Sequence, residues 1–540
     1  TIKVDEFEHH VRGDVNRPPN SAETLNTVLA WQAEFNGSIP HLHILGENEQ
    51  RETLTYFELY SEACDLASGL LANDLTPGES VLVMLPTGRA YFVSFFGVLL
   101  AGGVPVPVYP PARPQQLEEH LKRHAKIASN ARTVIMITVE EALTFSKSIA
   151  GQVQGMRRVA TCAELSADKS ENILPTPAPK DTAFLQYTSG STGDPKGVIL
   201  SHANLLSNIR AMGRSLEAGS KDVFVSWLPL YHDMGLIGAW LGSLTFGMPL
   251  VIMNPLSFLA RPQRWLWAIH KYKGTISGGP NFAYEACLSR IRTQDIEGLD
   301  LSSWRVAFNG AEAVQPDTLK RFRDRFGAYG FNPASLMPVY GLAENSVGLA
   351  FPPLGRGPKI DRIDRKILAT KNKAVPLEMG APANSVQKIP ACGHPLSGHQ
   401  IRVVDGTGRE VSERCQGHIQ FQGPSSTSGY FQNRESTATL FDGNWLNTGD
   451  LGYLADGEIH ITGREKDMII RAGRNIFPVE LETAVGELDG IQSGNVAVFA
   501  SPHPNTGIDR LVVMAGSRQR NKIQISNIHK AINRLSSELT

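Results

Sequence analysis

The sequence predicts an α/β protein: a large N-terminal domain of mostly parallel sheets covered by helices, followed by a small separate α+β unit. The chain has 540 residues, and a prior of about 150 residues per domain suggests three or four domains or subdomains. Apolar runs typical of buried strands alternate with segments of helical periodicity, which is the pattern of a parallel sheet with helical crossovers. After Gly463 the pattern restarts with a new helix and two strands.

The first elements show this alternation. Thr55 and Glu58 have the spacing of a capping box, and the run 81–85 is typical of a fully buried strand. Residues 91–109 are nearly all apolar. A Gly-Gly pair and two prolines divide them into a helix and a short strand, each too short to span about 30 Å of hydrocarbon. We therefore expect buried core here and no membrane span. One helical face is predicted from Leu59, Ala63, Leu66, Ala67 and Leu70.

Composition narrows the classes of function. Fifty-two Lys and Arg balance 53 Asp and Glu to a net charge of −1, which argues against a globally basic nucleic-acid binder. The five cysteines include no CxxC pair, which argues against a disulfide framework or a zinc ribbon and for a reducing compartment. The first residues lack the basic start and apolar core of a signal peptide. We expect a cytoplasmic protein without a nucleic-acid partner.

The segment 187–198, Tyr-Thr-Ser-Gly-Ser-Thr-Gly-Asp-Pro-Lys-Gly-Val, carries the strongest functional signal. It follows an apolar strand, and its three glycines let backbone N–H groups approach an anion closely. Its spacing is not that of a Walker A motif. A Gly/Ser linker is the alternative, but linkers rarely lie between buried strands. We predict a polyphosphate-binding loop from Thr188, Ser189, Gly190, Ser191, Thr192, Gly193 and Lys196.

Four further segments carry weaker signals. His232 follows a predicted turn and could orient a carboxylate beside a hydrophobic pocket, although taken alone a satisfied core histidine is the more usual explanation. Tyr340 is suited to stacking on a base, and Glu344 to holding Mg²⁺. Asp450, an acceptor-only carboxylate behind a glycine, suits a ribose diol. The charged segment 463–480 suits a hinge that faces a polyanion.

In this order the five segments resemble the motifs of the adenylate-forming superfamily, which comprises acyl-CoA synthetases, nonribosomal-peptide adenylation domains and firefly luciferase. The resemblance runs from about residue 55 to the end of the chain. It implies activation of a carboxylic acid as an acyl-adenylate, with ATP and Mg²⁺ as cofactors. It also implies an N-terminal domain at 1–465 and a small mobile C-terminal domain at 466–540.

The resemblance also implies roles for single residues. The loop 188–197 would grip pyrophosphate, Glu344 would bind the magnesium ion, and Asp450 and Arg464 would hold the ribose. Lys466 would be the hinge residue, and the loop with Gly473 and Arg474 would approach the nucleotide after domain rotation. The adenine site is expected from Asn309, Gly310, Ala311, Glu312 and Tyr340, and Gly341 and Leu342 are further nucleotide-binding candidates.

Within the superfamily, several features resemble the fatty acyl-AMP ligases. These features are the motif at 228–236, the motif at 277–285, and Ala343, where many relatives have Thr. The first motif contains His232, which is a further catalytic candidate. Residues 352–391, rich in Pro, Gly, Lys and Arg, resemble the surface insertion of this branch, which we expect to hinder the domain rotation that CoA transfer needs. The branch implies a fatty acid substrate and the phosphopantetheine of an acyl carrier protein as acceptor. Acyl-pocket candidates are Trp227, Met234, Gly235, Gly279 and Phe282, for which plain packing is the alternative.

Two other functions stay open at this point: a long-chain acyl-CoA ligase, and a nucleotide-binding scaffold with weak catalysis. One departure from the family matters. The superfamily carries a catalytic lysine in a Ser-Gly-Lys context near the end of the chain, and Lys522 and Lys530 lack that context. We therefore expect the C-terminal domain to be truncated and adenylation by this chain to be slow.

Overall fold

The computed structural model describes residues 18, 20–46, 50–110, 117–168, 173–188, 195–471, 474–476, 478–502, 509–517 and 519–539. In chain order, the α-helices of these ranges are α1 (Leu25–Asn36), α2 (Tyr56–Ala72), α3 (Arg89–Leu100), α4 (Leu117–Asn130), α5 (Leu143–Ala150), α6 (Cys162–Ala167), α7 (His202–Ser215), α8 (Gly242–Phe246), α9 (Pro255–Ala260), α10 (Gln263–Tyr272), α11 (Asn281–Arg290), α12 (Pro316–Phe326), α13 (Arg365–Lys371), α14 (Arg434–Leu440), α15 (Pro478–Gly486) and α16 (Lys522–Leu539).

The strands, again in chain order, are β1 (Pro40–Leu45), β2 (Arg51–Thr55), β3 (Ser80–Met84), β4 (Val104–Pro107), β5 (Thr133–Thr138), β6 (Arg158–Thr161), β7 (Thr182–Thr188), β8 (Lys196–Ser201), β9 (Phe224–Ser226), β10 (Leu250–Met253), β11 (Ile276–Gly279), β12 (Val306–Asn309), β13 (Leu336–Pro338), β14 (Tyr340–Gly341), β15 (Gly348–Phe351), β16 (Ile360–Asp364), β17 (Val386–Pro390), β18 (His394–Pro395), β19 (Gln400–Val404), β20 (Gly417–Gln422), β21 (Phe441–Asp442), β22 (Trp445–Ala455), β23 (Glu458–Arg464), β24 (Ile469–Arg471), β25 (Arg474–Ile476), β26 (Ile491–Pro502) and β27 (Asp509–Ser517).

Two mostly parallel sheets form the centre of the N-terminal part. One has the strand order β13-β12-β11-β9-β10-β1-β2, in which only the edge strand β2 is antiparallel to its neighbour. The other has the order β4-β3-β5-β6 and is parallel throughout. The predicted α/β class is therefore confirmed. The carboxyl ends of β9, β12 and β13 lie at one edge of the first sheet, which is where ligands bind in open α/β sheets.

The local predictions in this region are also confirmed. Thr55 and Glu58 form the capping box at the start of α2, with reciprocal hydrogen bonds of 2.8 and 3.2 Å. Residues 91–109 divide into α3 and β4, and their apolar side chains lie in the core. In the described ranges, no helix combines the length and the apolar character that crossing a bilayer requires.

The segment 352–391 is more ordered than its composition suggested. It contains the hairpin of β16 and β17 together with α13, and Ile363, Leu368 and Ile389 bury their side chains against Tyr453 of β22. Asp361 accepts hydrogen bonds from the Tyr453 hydroxyl at 2.8 Å and from an Arg414 guanidinium nitrogen at 2.9 Å. The insertion is thus a small folded unit attached to the antiparallel sheet of β19 to β23.

The C-terminal part consists of the β24–β25 and β26–β27 pairs with α15 and α16. Its small core contains Ile469, Ile476, Leu481, Val485 and Val498. α13 of the insertion lies next to β25. The helix that was predicted from Pro478 and the two strands that were predicted near 495–500 and 511–515 are all present.

We expect His202 to make the fold sensitive to acid. Its ring is buried at the start of α7, and Nδ1 accepts the backbone N–H of Leu25 at 3.2 Å, which requires the neutral imidazole. The ordinary pKa of a histidine is about 6.5, and burial lowers the pKa of His202 to about 4. The stabilising contribution is therefore complete above pH 6.5 and is lost as the pH falls towards 4, by about 3 kcal/mol at full titration.

We therefore expect urea unfolding of the wild-type chain between pH 7 and 4 to show a steeper loss of stability than that of His202→Gln. The variant starts from a lower stability at pH 7 because the bond to Leu25 is altered, but its pH dependence is flatter. His394→Gln, at an exposed histidine, is the control and should keep the wild-type slope. Equal slopes for all three proteins would show that His202 does not set the acid sensitivity.

Candidate active site

A cavity of about 1020 Å³ lies where the two parallel sheets and the antiparallel sheet meet. Its wall includes residues from the ends of β7, β9 and β12, from the segment directly after β13, from α4 and α7, and from β22 and β23. The motifs that are far apart in the sequence are therefore brought together. Predicted site residues at this wall are Thr188, Lys196, His232, Met234, Ala311, Tyr340, Gly341, Leu342, Glu344, Asp450, Arg464 and Lys466.

One corner of the cavity carries the cation and the carboxylate that were predicted to act on phosphate. Lys196 is the first residue of β8, and Glu344 lies in a short 3₁₀ turn after β14. Tyr430 contacts both: its hydroxyl donates to Glu344 Oε1 at 2.7 Å, and the Lys196 ammonium nitrogen lies 5.0 Å from the centroid of its ring. A cation, a carboxylate and a phenol thus share one corner, directly after the loop predicted to bind phosphate.

A second corner is built around Asp450 of β22. Its carboxylate accepts the Tyr340 hydroxyl at 2.7 Å, and Arg464 Nε lies 3.4 Å from its other oxygen. Burial raises the pKa of Asp450, while the Tyr340 hydrogen bond and the Arg464 charge act in the opposite direction. Tyr340 is only 8% exposed, so the side chain predicted to stack on a base is largely committed to orienting Asp450.

His232 lies at the wall with its side chain half-exposed. Its Nδ1 lies 2.7 Å from Asp233 Oδ1, and the charge of that carboxylate raises the pKa of His232. The turn is fixed by neighbouring bonds, in which Tyr91 donates to the Leu230 carbonyl and Gln186 donates to the Tyr231 carbonyl. A histidine whose protonated form is favoured by the neighbouring carboxylate therefore faces the cavity, as would suit the approach of an anionic substrate group.

A large part of the remaining wall is apolar. It includes Ile209, Met212, Leu216, Phe224, Phe246, Met248, Ile276, Phe308, Val339, Val347 and Phe351. Gly238 and Gly242 lie on this side, in and after the π-helix Met234–Leu241. A Cβ atom at Gly238 would meet no heavy atom within 4 Å, so this glycine faces open space. The compartment suits a hydrocarbon chain, because nearly every side chain that faces it is apolar.

Four of the acyl-pocket candidates lie elsewhere. Trp227 stacks on Phe258 at 4.0 Å, inside a second hydrophobic core. Gly279 has no room for a side chain, because a Cβ there would lie 2.7 Å from the Trp227 ring. Phe282 packs edge-on against the same ring and is 42% exposed. Gly235, where a Cβ would lie 2.3 Å from a backbone oxygen, is the fourth. Packing accounts for these positions, and Met234 is the candidate that lines the cavity.

Three of the adenine candidates do not line the cavity. Asn309 is buried and donates to Asn281 Oδ1 at 3.1 Å, while Gly310 packs closely on Val339. Glu312 accepts the backbone N–H of Phe282 at 2.6 Å, and burial raises its pKa. These residues shape the strand end that presents Ala311 to the cavity. Their role in nucleotide binding stays a prediction.

Some predicted residues lie outside the described part of the chain. These are Ser189, Gly190, Ser191, Thr192, Gly193 and Gly473. Arg474 belongs to β25, for which the backbone alone is described at this position.

Tyr430 and Arg123 are among the polar residues at the wall that sequence reasoning did not find. Tyr430 follows a glycine in an unremarkable stretch of the sequence, 423–433, and only its contacts reveal it. Arg123 of α4 also lines the cavity, and its Nε is buried without a hydrogen-bond partner in the described structure. The one signal for Arg123 in the sequence was its place in a basic helix, which is ordinarily a solvated face.

The family model for AMP-binding enzymes matches residues 29–431, and the chain belongs to this family. A medium-chain-fatty-acid–acyl-carrier-protein ligase of Teredinibacter turnerae is 34% identical over 521 residues, which cover 87% of this chain and 79% of the relative. A Caulobacter vibrioides protein with the provisional name acyl-CoA synthetase is 37% identical over 499 residues, covering 92% and 86%.

Solved structures agree with these relatives. The chain superposes on a fatty acyl-adenylate ligase from a study of the E. coli and L. pneumophila enzymes, with a TM-score of 0.90 and 33% sequence identity. The superposition covers 95% of this chain and 92% of the ligase chain. The resemblance that the five motifs predicted is therefore confirmed at the level of the family and the fold.

The Tyr340–Asp450 pair provides a direct test of the second corner. In Tyr340→Phe the buried carboxylate loses its phenolic donor, so we expect a loss of about 1–3 kcal/mol of stability and weaker ATP binding in calorimetric titration. Tyr453→Phe, which removes a similar hydroxyl bond to Asp361, should lose stability without a change in ATP affinity. Unchanged ATP affinity in Tyr340→Phe would exclude a role for this pair in the nucleotide site.

Proposed function

We propose that the chain activates a medium- or long-chain fatty acid with ATP, forming an acyl-adenylate and pyrophosphate. The observation that carries this proposal is that one cavity joins an apolar compartment to the Lys196–Glu344 and Asp450–Arg464 corners. The fatty acyl-adenylate ligase superposition supports the same substrate class. An apolar tail and a charged triphosphate need such contrasting walls within a single cavity.

The reaction needs no general base. A fatty acid has a pKa near that of Glu, about 4.3, so at neutral pH the carboxylate is already the nucleophile that attacks the α-phosphate. The barrier comes from bringing two anions together and from the charge that develops on the phosphate oxygens. Lys196 and Arg464 supply positive charge at the wall, and the apolar compartment orients the acid. Pyrophosphate leaves with the electron pair of the broken bond.

The described residues fit a magnesium ion that arrives with the nucleotide. They contain no group of three or more His, Cys, Asp or Glu side chains that could hold a metal ion. Mg²⁺ is ordinarily bound by one or two carboxylates together with substrate phosphates, and Glu344 offers one such carboxylate beside Lys196. When bound, the ion supplies Lewis-acid stabilisation of phosphate charge.

We propose that the acceptor is the phosphopantetheine of an acyl carrier protein. The Teredinibacter turnerae relative, named as a ligase of this kind, supports this acceptor. The provisional name of the Caulobacter vibrioides relative favours CoA as the second candidate. A scaffold without catalysis is disfavoured, because Lys196, Glu344, Asp450 and Arg464 all line the cavity.

We further propose a domain boundary at Lys466, which follows β23 in a 3₁₀ turn and reaches the cavity wall. Rotation of the C-terminal domain about this residue would turn a different face of that domain towards the cavity. The proximity of α13 to β25 supports the expectation that the insertion restrains this rotation and so disfavours CoA as acceptor.

The product assay uses ATP, Mg²⁺ and a fatty acid, with and without CoA. We expect acyl-AMP in both reactions, and a rate lowered about 100-fold or more in Glu344→Ala, since loss of a metal contact is worth several kcal/mol. Glu140→Ala, at an exposed glutamate, is the matched control and should keep the wild-type rate. Acyl-CoA as the main product would favour the second candidate, and an unimpaired Glu344→Ala would remove this residue from the metal role.

The open space beside Gly238 gives a test of the acyl compartment. In Gly238→Leu the new side chain extends into the cavity, so we expect kcat/KM to fall about ten-fold or more for the longest acids that wild type accepts, and less for short acids. Gly327→Leu places the same side chain in open space at the surface and should leave the chain-length profile unchanged. A uniform loss for all chain lengths in Gly238→Leu would place the acyl chain elsewhere.

A further inference from the structure

Tyr430 occupies a central position among the charged groups of the cavity. Its hydroxyl donates to Glu344 Oε1 at 2.7 Å, and its ring lies under the Lys196 ammonium at 5.0 Å. Burial and the neighbouring Glu344 carboxylate raise the pKa of the Tyr430 phenol. The phenol therefore remains a protonated donor throughout the neutral range.

The backbone around Tyr430 is fastened to both of its partners. Segment 427–431 runs antiparallel to β8: the Ile199 N–H donates to the Gly429 carbonyl at 3.1 Å, and the Phe431 N–H donates to the Gly197 carbonyl at 2.7 Å. The Thr427 N–H donates to the Glu344 carbonyl at 2.8 Å. One short segment thus joins the strand that begins with Lys196 to the turn that carries Glu344.

The hydroxyl bond has a consequence for the carboxylate. In the described structure the Tyr430 hydroxyl is the side-chain donor to Glu344, and it occupies Oε1. A carboxylate whose first oxygen accepts a directed hydrogen bond has a fixed orientation. Its second oxygen remains available to bind a cation. Outer partners of this kind orient metal-binding groups in many sites.

We propose that Tyr430 is a positioning residue: its hydroxyl orients the Glu344 carboxylate towards the divalent cation that accompanies ATP, while its ring holds the Lys196 ammonium at the same corner of the cavity. This inference rests on the metal role of Glu344 in the proposed function. The same side chain thus contacts both groups, the Lys196 ammonium through its ring and the Glu344 carboxylate through its hydroxyl.

The test measures metal binding and not turnover. Mn²⁺ is titrated, with detection by electron paramagnetic resonance, into the full chain saturated with α,β-methylene-ATP, a nucleotide that cannot be cleaved at the bond that the reaction breaks. We expect the Mn²⁺ dissociation constant of Tyr430→Phe to rise ten- to a hundred-fold, as is usual for loss of an outer partner. Tyr453→Phe, which loses a hydroxyl bond to a carboxylate outside the cavity, should stay within about two-fold of wild type.

A double-mutant cycle separates positioning from general damage. In a Glu344→Gln background, Tyr430→Phe should change the dissociation constant by less than about two-fold, because the carboxylate on which the hydroxyl acts is gone. An equal effect in both backgrounds, or an Mn²⁺ affinity of Tyr430→Phe equal to that of wild type, overturns the inference. If wild type still forms acyl-AMP in that case, the proposed function stands. Equal Mn²⁺ affinities of Glu344→Gln and wild type remove the metal role of Glu344 as well.

A second measurement covers the case in which Tyr430→Phe does not fold. Incorporation of 4-fluorophenylalanine at position 430 keeps the ring and fills the place of the hydroxyl, but the fluorine cannot donate to Glu344. The Mn²⁺ dissociation constant should then rise ten- to a hundred-fold, as expected for Tyr430→Phe. An Mn²⁺ affinity equal to that of wild type contradicts the positioning role.

Discussion

The parallel alignment of the strands in the large sheet is the constraint on which the site depends. β9, β11, β12 and β13 point the same way, so the segments that follow them emerge at one edge although they are far apart in the sequence. His232 follows β9, Ala311 follows β12, and Tyr340 follows β13. Any antiparallel order would send half of these segments to the opposite edge. The strand topology therefore determines which segments meet at the cavity, and the individual side chains determine its chemistry.

The charged corners are costly to build and are stabilised by specific partners. Burial raises the pKa of Asp450, which means that the ionised form is disfavoured by the surroundings. The Tyr340 hydroxyl and Arg464 offset part of this cost. Glu344 has a phenolic donor of the same kind in Tyr430. In both corners a tyrosine from a different element donates a hydrogen bond to a carboxylate, which adds directed geometry to the charge of the nearby cation.

The sequence predicted what is local. The capping box of α2, the division of 91–109 and the motif residues at the cavity wall all depend on spacing within a few residues, and local rules apply to them. The acyl compartment was different. Trp227 and Phe246 look alike as large apolar residues, yet Trp227 packs in a core while Phe246 lines the cavity. This distinction depends on which elements face each other, and periodicity along the chain does not contain it.

Tyr430 shows the same limit for polar residues. Its partners are 86 and 234 positions away in the sequence, and nothing in the stretch around it has the spacing of a binding motif. The composition of 352–391 was likewise informative about an insertion but not about its internal core, because Tyr453 of β22 completes that core from outside the segment. Contacts between segments that are distant in the sequence could not be predicted from residue spacing.

The segment 343–348 connects the two halves of the proposed chemistry. It carries Glu344 at the phosphate corner and Val347 and Gly348 at the apolar wall. Asn208 of α7 holds Gly348 with two hydrogen bonds, of 2.8 and 3.0 Å. Ser346 adopts a φ of +66°, a conformation that costs a non-glycine residue of order 1 kcal/mol and persists only where the surroundings fix it. One rigid turn therefore carries both the apolar wall residues Val347 and Gly348 and the Glu344 carboxylate. In the proposed reaction, the way the hydrocarbon chain fits this wall would then affect the position of Glu344 at the reacting end of the acid.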